Sequence, residues 1–213
     1  MNKKSIDIYI DFKSPYAYLS IAPSIVFAEK NKLIINWIPY ILEIPDYLGS
    51  AEVDNNGNII KSERNAHQWR RVKYSYMDCR RYANLRNMTV RGPQKIWNTQ
   101  LISIGLLWIK RNYSEFTITF INHVFEQFWN RKLDLESYEE ICKVYEDIGI
   151  NSNSFKEWAI DEGKKELDLI INQAHENGVF GVPSYFIENE LFWGREQLPL
   201  IEARLTNNYS NLI

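Results

Sequence analysis

Ile6-Asp7-Ile8-Tyr9-Ile10-Asp11-Phe12-Lys13-Ser14-Pro15-Tyr16-Ala17-Tyr18-Leu19 decides how the chain folds. Ile6, Ile8, Ile10 and Phe12 alternate with polar or mixed residues, the period of two of a β-strand. Ser14 followed by Pro15 then opens an apolar helical run, the pattern of an N-cap with proline at the first helical position. A helix that starts this way leaves backbone N–H groups and the positive end of its dipole beside the Ser14 hydroxyl. An anion, a thiolate included, is stabilised there. On these residues alone two readings of Ser14 stand: a helix cap and nothing more, or a cap that also holds an anion.

Outward from this stretch, Ala17 to Lys30 reads as a helix and Leu33 to Ile38 as a second strand ending at Pro39. Strand, helix and strand with short joins make a βαβ unit, whose strands pair in parallel. Ile44 to Ile60, with Pro45, Gly49 and Asp54-Asn55-Asn56-Gly57-Asn58, has no sustained period and reads as a long loop. Apolar residues then recur at three-to-four spacing from Arg64 to about Ala83, and again from Pro93 to Lys110. Phe116–Trp129, Leu135–Ile148 and Ser154–Asn177 are three further helical stretches. Two short strands, Ser184–Glu188 and Leu191–Trp193, flank a hairpin turn at Asn189-Glu190, and Leu198–Leu205 is a last helix. The expectation is one α/β domain over 1–213. Its sheet comes from about 1–43 and 178–213, and an all-helical insertion fills about 44–177.

Composition narrows the function classes. The chain has 213 residues, 45% hydrophobic and 24% charged, as ordinary globular domains do. A net charge of −2 speaks against a generic nucleic-acid or membrane-surface protein. No apolar run is long enough for a bilayer, and Met1 to Ser5 lead into an alternating strand instead of a signal segment, so a cytoplasmic location is expected. Cys79 and Cys142 show neither C-x-x-C nor metal-ligand spacing, and are expected to be reduced and structural. His67, His123 and His175 have no metal spacing either, so no metal is expected.

The order βαβ, helices, ββα, with a proline before the third strand, is that of a thioredoxin-like domain. Asp11 to Leu19, Gly178-Val179-Phe180-Gly181-Val182-Pro183-Ser184 and Phe192-Trp193-Gly194-Arg195-Glu196-Gln197-Leu198 together resemble the 2-hydroxychromene-2-carboxylate isomerase family. Its relatives are the kappa-class glutathione transferases and DsbA. The likeness covers nearly the whole chain, strongly at both ends and weakly in the helical middle.

The resemblance implies glutathione as cofactor, a small anionic aromatic-derived substrate and a homodimer. It implies that Ser14 contacts the glutathione sulfur and favours its thiolate. A hydroxyl donor beside helix N–H groups has that effect on a thiol. It implies that the Val182-Pro183 bond is cis and that Val182 offers its backbone to the cysteinyl part of glutathione. Gly194, Arg195, Glu196 and Gln197 match the loop that holds the γ-glutamyl end. Relatives carry a small or amide residue followed by Asp and Arg there, so this loop departs from the pattern. Asn65 is the nearest match to a ligand-touching asparagine, and Trp97 corresponds either to a substrate contact or to core packing. The segment Lys61 to Lys95 carries ten basic residues against Glu63 and Asp78. It reads as a solvated helix face or as a pocket wall that attracts carboxylates. Three functions stay open: a glutathione-dependent isomerase, a glutathione transferase and a non-catalytic binding protein.

Overall fold

Ile6, Ile8 and Ile10 are almost wholly buried in the computed structural model, which describes residues 4–210. The outermost three residues at each end of the 1–213 span, with the start of the Met1–Ser5 stretch, lie outside it. Strand β1 (Ser5–Ile10), helix α1 (Pro15–Lys30) and strand β2 (Ile34–Pro39) form the βαβ unit, with β1 and β2 parallel and Ile6 opposite Ile35.

Between the two halves of the sheet come α2 (Ile44–Leu48), β3 (Ala51–Val53), β4 (Ile59–Ser62), α3 (Ala66–Leu85) and α4 (Gln100–Asn112). They are followed by α5 (Thr117–Trp129), α6 (Tyr138–Asp147), α7 (Phe155–Trp158) and α8 (Lys164–Glu176). Strands β5 (Ser184–Ile187) and β6 (Glu190–Trp193) and helix α9 (Leu198–Thr206) complete the chain. The sheet order is β2-β1-β5-β6, with β5 antiparallel to β1. The α/β class and thioredoxin-like layout expected from the sequence are those observed.

The insertion is not all helical. β3 and β4 pair as an antiparallel hairpin, and Asp54 closes its tip by accepting the N–H groups of Asn56 and Asn58, both at 2.8 Å. The strands have three and four residues, every residue of β4 is exposed, and the register shifts between Glu52 and Val53. No apolar alternation exists for a sequence to display. The last hairpin turns one residue earlier than expected: Glu188 and Asn189 both take positive φ, as a two-residue primed turn demands. Ser154–Asn177 is two helices joined by a π-helical turn, Ala159–Gly163. A Cβ on Gly163 would sit 2.7 Å from both Ile104 and Trp158, so glycine lets that turn lie directly on α4.

The pleat tells which helices cover which face. Ile8 and Tyr185 stand side by side on one face, where the Tyr185 hydroxyl meets Ser24 of α1 at 2.9 Å. Asp7 and Tyr9 point the other way. Asn36 bridges Asp7 to Lys110 near the end of α4, and Tyr9 accepts from Asn177 just after α8. The helix α4 therefore lies along the Asp7–Tyr9–Asp11 face.

Pro23 lies inside α1 and has no N–H, which leaves the carbonyl four residues earlier without its helical donor. That carbonyl belongs to Leu19, and Arg86 donates to it at 2.7 Å from the end of α3. A proline in one helix thus creates the acceptor that ties down another. The buried apolar side chains form one cluster that runs from the sheet into α4, α5 and α6.

Candidate functional site

The turn after β1 is built by Asp11. Its carbonyl accepts from Ser14 N–H at 2.9 Å, and its carboxylate takes Lys13 N–H at 3.2 Å and Leu42 N–H at 2.8 Å. Ser14 emerges as the N-cap of α1 with extended backbone angles, and its Oγ accepts from Ala17 N–H at 3.2 Å. Pro15 has no N–H to offer. The Ser14 N–H and Ala17 N–H are therefore spent, while the Tyr16 N–H has no acceptor among the described residues. The Ser14 hydroxyl hydrogen is likewise free, because its oxygen only accepts. Two unspent donors stand at the positive end of a sixteen-residue helix.

Strand pairing brings the far end of the sequence to this corner. Tyr9 is opposite Ser184, so Val182 and Pro183 run on past β1 toward the turn that carries Ser14. The Val182–Pro183 peptide is cis. The Val182 N–H and C=O take part in no hydrogen bond among the described residues, although the residue is buried. Pro183 C=O accepts from Gly194 N–H at 2.9 Å, which draws the Gly194–Gln197 loop alongside. Gly194 has φ of 99°, and a Cβ there would overlap the Glu196 carboxylate. That carboxylate is folded back over Gly194 and has no ion-pair or hydrogen-bond partner among the described residues. Gln197 N–H closes the turn onto Gly194 C=O.

Arg195 goes elsewhere. Its guanidinium lies 3.9 Å from the Tyr82 ring centroid on α3, and its Nη1 is buried without a partner. The residue matched to a glutathione contact is committed to the insertion instead. Beside it, burial pushes the Cys79 thiol up to about 12, so that sulfur stays protonated. Tyr16, directly after Pro15, donates to Asp78 at 3.3 Å, and its pKa is raised by burial first and then by Cys79 and Asp78. Cys79 and Cys142 are unpaired, as the sequence leads one to expect.

Two further candidates have other partners. Asn65 caps α3: its side chain accepts from Gln68 N–H at 2.9 Å, and Gln68 returns the bond to Asn65 N–H. This capping box spends the side-chain oxygen of Asn65 on the helix. Asn65→Ala is expected to cost about 1 kcal/mol, read as a lower urea midpoint with activity per folded molecule unchanged. Trp97 packs edge-on against Phe128 under the Lys95 ammonium. It lines a cleft of about 280 Å³ with Arg91, Pro93 and Arg131, which none of the corner residues enters.

The basic segment Lys61 to Lys95 is mostly a solvated face: eight of its ten basic residues are exposed, and Arg64 and Lys95 are half-buried. Arg64, Arg80 and Arg86 each donate to a backbone carbonyl, of Gly49, Val90 and Leu19. Sequence reasoning also passed over Asp11, Lys13 and Thr99. Lys13 Nζ lies 3.3 Å from Asp11 Oδ2 and 3.3 Å from Thr99 Oγ1, and all three residues are buried. The only advance signal was an acid and a base two apart at the end of a strand, which places them on one face.

The DSBA-like thioredoxin domain model matches residues 5–206. The chain belongs to that family. It is 25% identical over 203 residues to the 2-hydroxychromene-2-carboxylate isomerase of Sphingobium xenophagum, covering 95% of this chain and 98% of that one. A solved structure of a 2-hydroxychromene-2-carboxylate isomerase superposes with a TM-score of 0.72 at 21% identity, over 95% of each chain. The cytosolic disulfide reductase DsbM from Pseudomonas aeruginosa, solved with GSH, superposes with a TM-score of 0.58 at 10% identity, over 95% of this chain and 99% of that one. No helix among the described residues is long and apolar enough to cross a membrane.

Proposed function

We propose that the chain is a glutathione-dependent isomerase of the 2-hydroxychromene-2-carboxylate isomerase type, acting on a small anionic aromatic-derived carboxylate. The observation that carries this reading is the pair of unspent donors, Ser14 O–H and Tyr16 N–H, at the start of α1. The names of the relatives supply the reaction class. A thioredoxin-like neighbour solved with GSH supports the choice of thiol.

The residues present fit glutathione. Ser14 and Tyr16 would face the sulfur, the free Val182 N–H and C=O would pair with the cysteinyl backbone, and the unpaired Glu196 carboxylate would receive the γ-glutamyl ammonium. Arg195 is not part of this set. When bound, glutathione supplies a thiolate that adds reversibly to an unsaturated carbon, allows the bond to turn, and leaves unchanged. The work of the chain is electrostatic and positional: Ser14 and Tyr16 donate to the sulfur, and the α1 dipole favours its charged form. The nucleophile is borrowed. Thiol–disulfide exchange has no thiol here, because Ser14 and Ala17 occupy the C-x-x-C positions.

The test is titration calorimetry with glutathione, followed by turnover of a 2-hydroxychromene-2-carboxylate. Saturable binding, isomerised product and full recovery of free glutathione are expected. A stable conjugate would make the chain a transferase, and absence of binding would overturn the reading.

A further inference from the structure

The Asp11 carboxylate has a structural task, taking the Lys13 and Leu42 N–H groups, but the ammonium buried against it makes no bond that holds the turn. The Asp11 and Lys13 side chains are 0% and 5% exposed. Taking two charges out of water costs several kcal/mol each, and an apolar pair of the same volume is often no worse. The ammonium therefore calls for a reason other than cohesion, and its position supplies one. Lys13 immediately precedes Ser14, and its ammonium is anchored by Asp11 on one side and by Thr99 on the other. Thr99 is the N-cap residue of α4, yet its hydroxyl makes no capping bond to that helix. It accepts from Lys13 instead.

The same contact orients α4. Thr99 lies at the level of Lys13 and Lys110 at the level of Asn36, so α4 runs antiparallel to β1 and its N-terminus meets that of α1. A cation placed against the positive end of a helix is unfavourable by itself. Here two helix N-termini and one ammonium gather around a single carboxylate. An ammonium has three donors, and the third of Lys13 has no acceptor among the described residues. One turn further along the same face of α4, the buried Ser103 hydroxyl is also unpartnered. The locus has a surplus of positive charge and donors.

We propose that Lys13 is a positioning residue that makes the Ser14 corner electropositive, so that a sulfur held there prefers to be a thiolate. This rests on the corner being a thiol site, but the test does not need glutathione. Other charges reach the corner. Tyr40, just after β2, and Tyr47 of α2 lie near Asp11, with Glu43 and Arg71 beside those tyrosines. Asp78, Cys79 and Arg195 stand behind Tyr16. All of these remain in every variant below, so differences among variants report the Asp11–Lys13 pair alone.

The reporter is a thiol built into the chain by Ser14→Cys, titrated through its rate of alkylation by iodoacetamide. The parent carrying Ser14 supplies the background from Cys79 and Cys142. Adding Lys13→Met is expected to raise the reporter's pKa by about one unit, a tenfold loss of thiolate below that pKa. Lys13→Arg keeps the charge and is expected to leave it within a few tenths. Asp11→Asn removes the opposing charge and is expected to lower it. A purely structural role moves Lys13→Met and Asp11→Asn in the same direction, and that result overturns the proposal. So does no change in Lys13→Met. Should Asp11→Asn not fold, the contrast of Met with Arg at position 13 still decides. A wild type that fails to bind glutathione while the reporter shifts as stated would overturn the proposed cofactor and leave this inference standing.

Discussion

Ser14→Ala is expected to lower isomerase turnover by about 10²–10³-fold, the usual loss when one donor to a developing or held anion is removed. It should cost only about 1 kcal/mol of stability, because the cap bond from Ala17 N–H is lost as well. On the proposed reading the two effects come from different atoms of one hydroxyl: the oxygen serves the helix and the hydrogen would serve the sulfur. Ser14→Asp separates them. An aspartate caps as well as serine and suits a helix N-terminus, so the urea midpoint should stay near that of the wild type. Its charge and lack of a hydrogen should leave thiolate absorbance and turnover as low as in Ser14→Ala. If Ser14→Ala turns over at the wild-type rate and loses stability alone, Ser14 is a helix cap and nothing else.

Phe125→Ala is expected to destabilise the fold by about 3–5 kcal/mol, a drop in Tm on the order of 10 °C. Phe125 is fully buried on α5, with its ring 4.9 Å from Phe12 and stacked 5.2 Å from Tyr18. Those two residues flank the turn, one just before Ser14 and one in the first coil of α1. Removing the ring opens a cavity against both sides of the corner, so turnover per folded molecule should fall as well. Phe125→Leu keeps most of the volume and should recover the larger part of the stability. Differential scanning calorimetry and activity on the same samples check both halves. A loss under 1 kcal/mol would mean that the corner does not rest on α5.

What could be read from the residues was whatever carries a local period or a local stop. Ile6, Ile8 and Ile10 announced β1, Ser14-Pro15 announced α1, and the strands around Glu188 and Asn189 announced the closing hairpin to within a residue. β3 and β4 carried no such mark, since an exposed strand of four residues buries nothing and need not alternate. Pro23 would argue against a helix over Ala17 to Lys30, and the carbonyl it leaves free is taken by the distant Arg86. The site divides in the same way. Ser14 was marked by its own cap-and-proline pattern, whereas Val182-Pro183 and Gly194 were singled out by the family resemblance; the structure shows the cis bond at the one and positive φ at the other. The burial of Lys13 and the diversion of Arg195 to Tyr82 depend on partners 86 and 113 positions away, and no local pattern reports a partner.

The pairing of β5 against β1 also sets an order of events on the ribosome. Ser14 emerges well before the wall opposite it, Val182 to Glu196. At about 5–20 residues per second the interval is roughly ten to thirty seconds. Throughout it β1 has one neighbour, β2, and an open edge on the other side that only β5 fills. A nascent chain can therefore cap α1 and pair β2 early, but it has no cleft for a ligand until its closing hairpin docks. Any truncation before Val182 leaves Ser14 as a cap on an unfinished sheet.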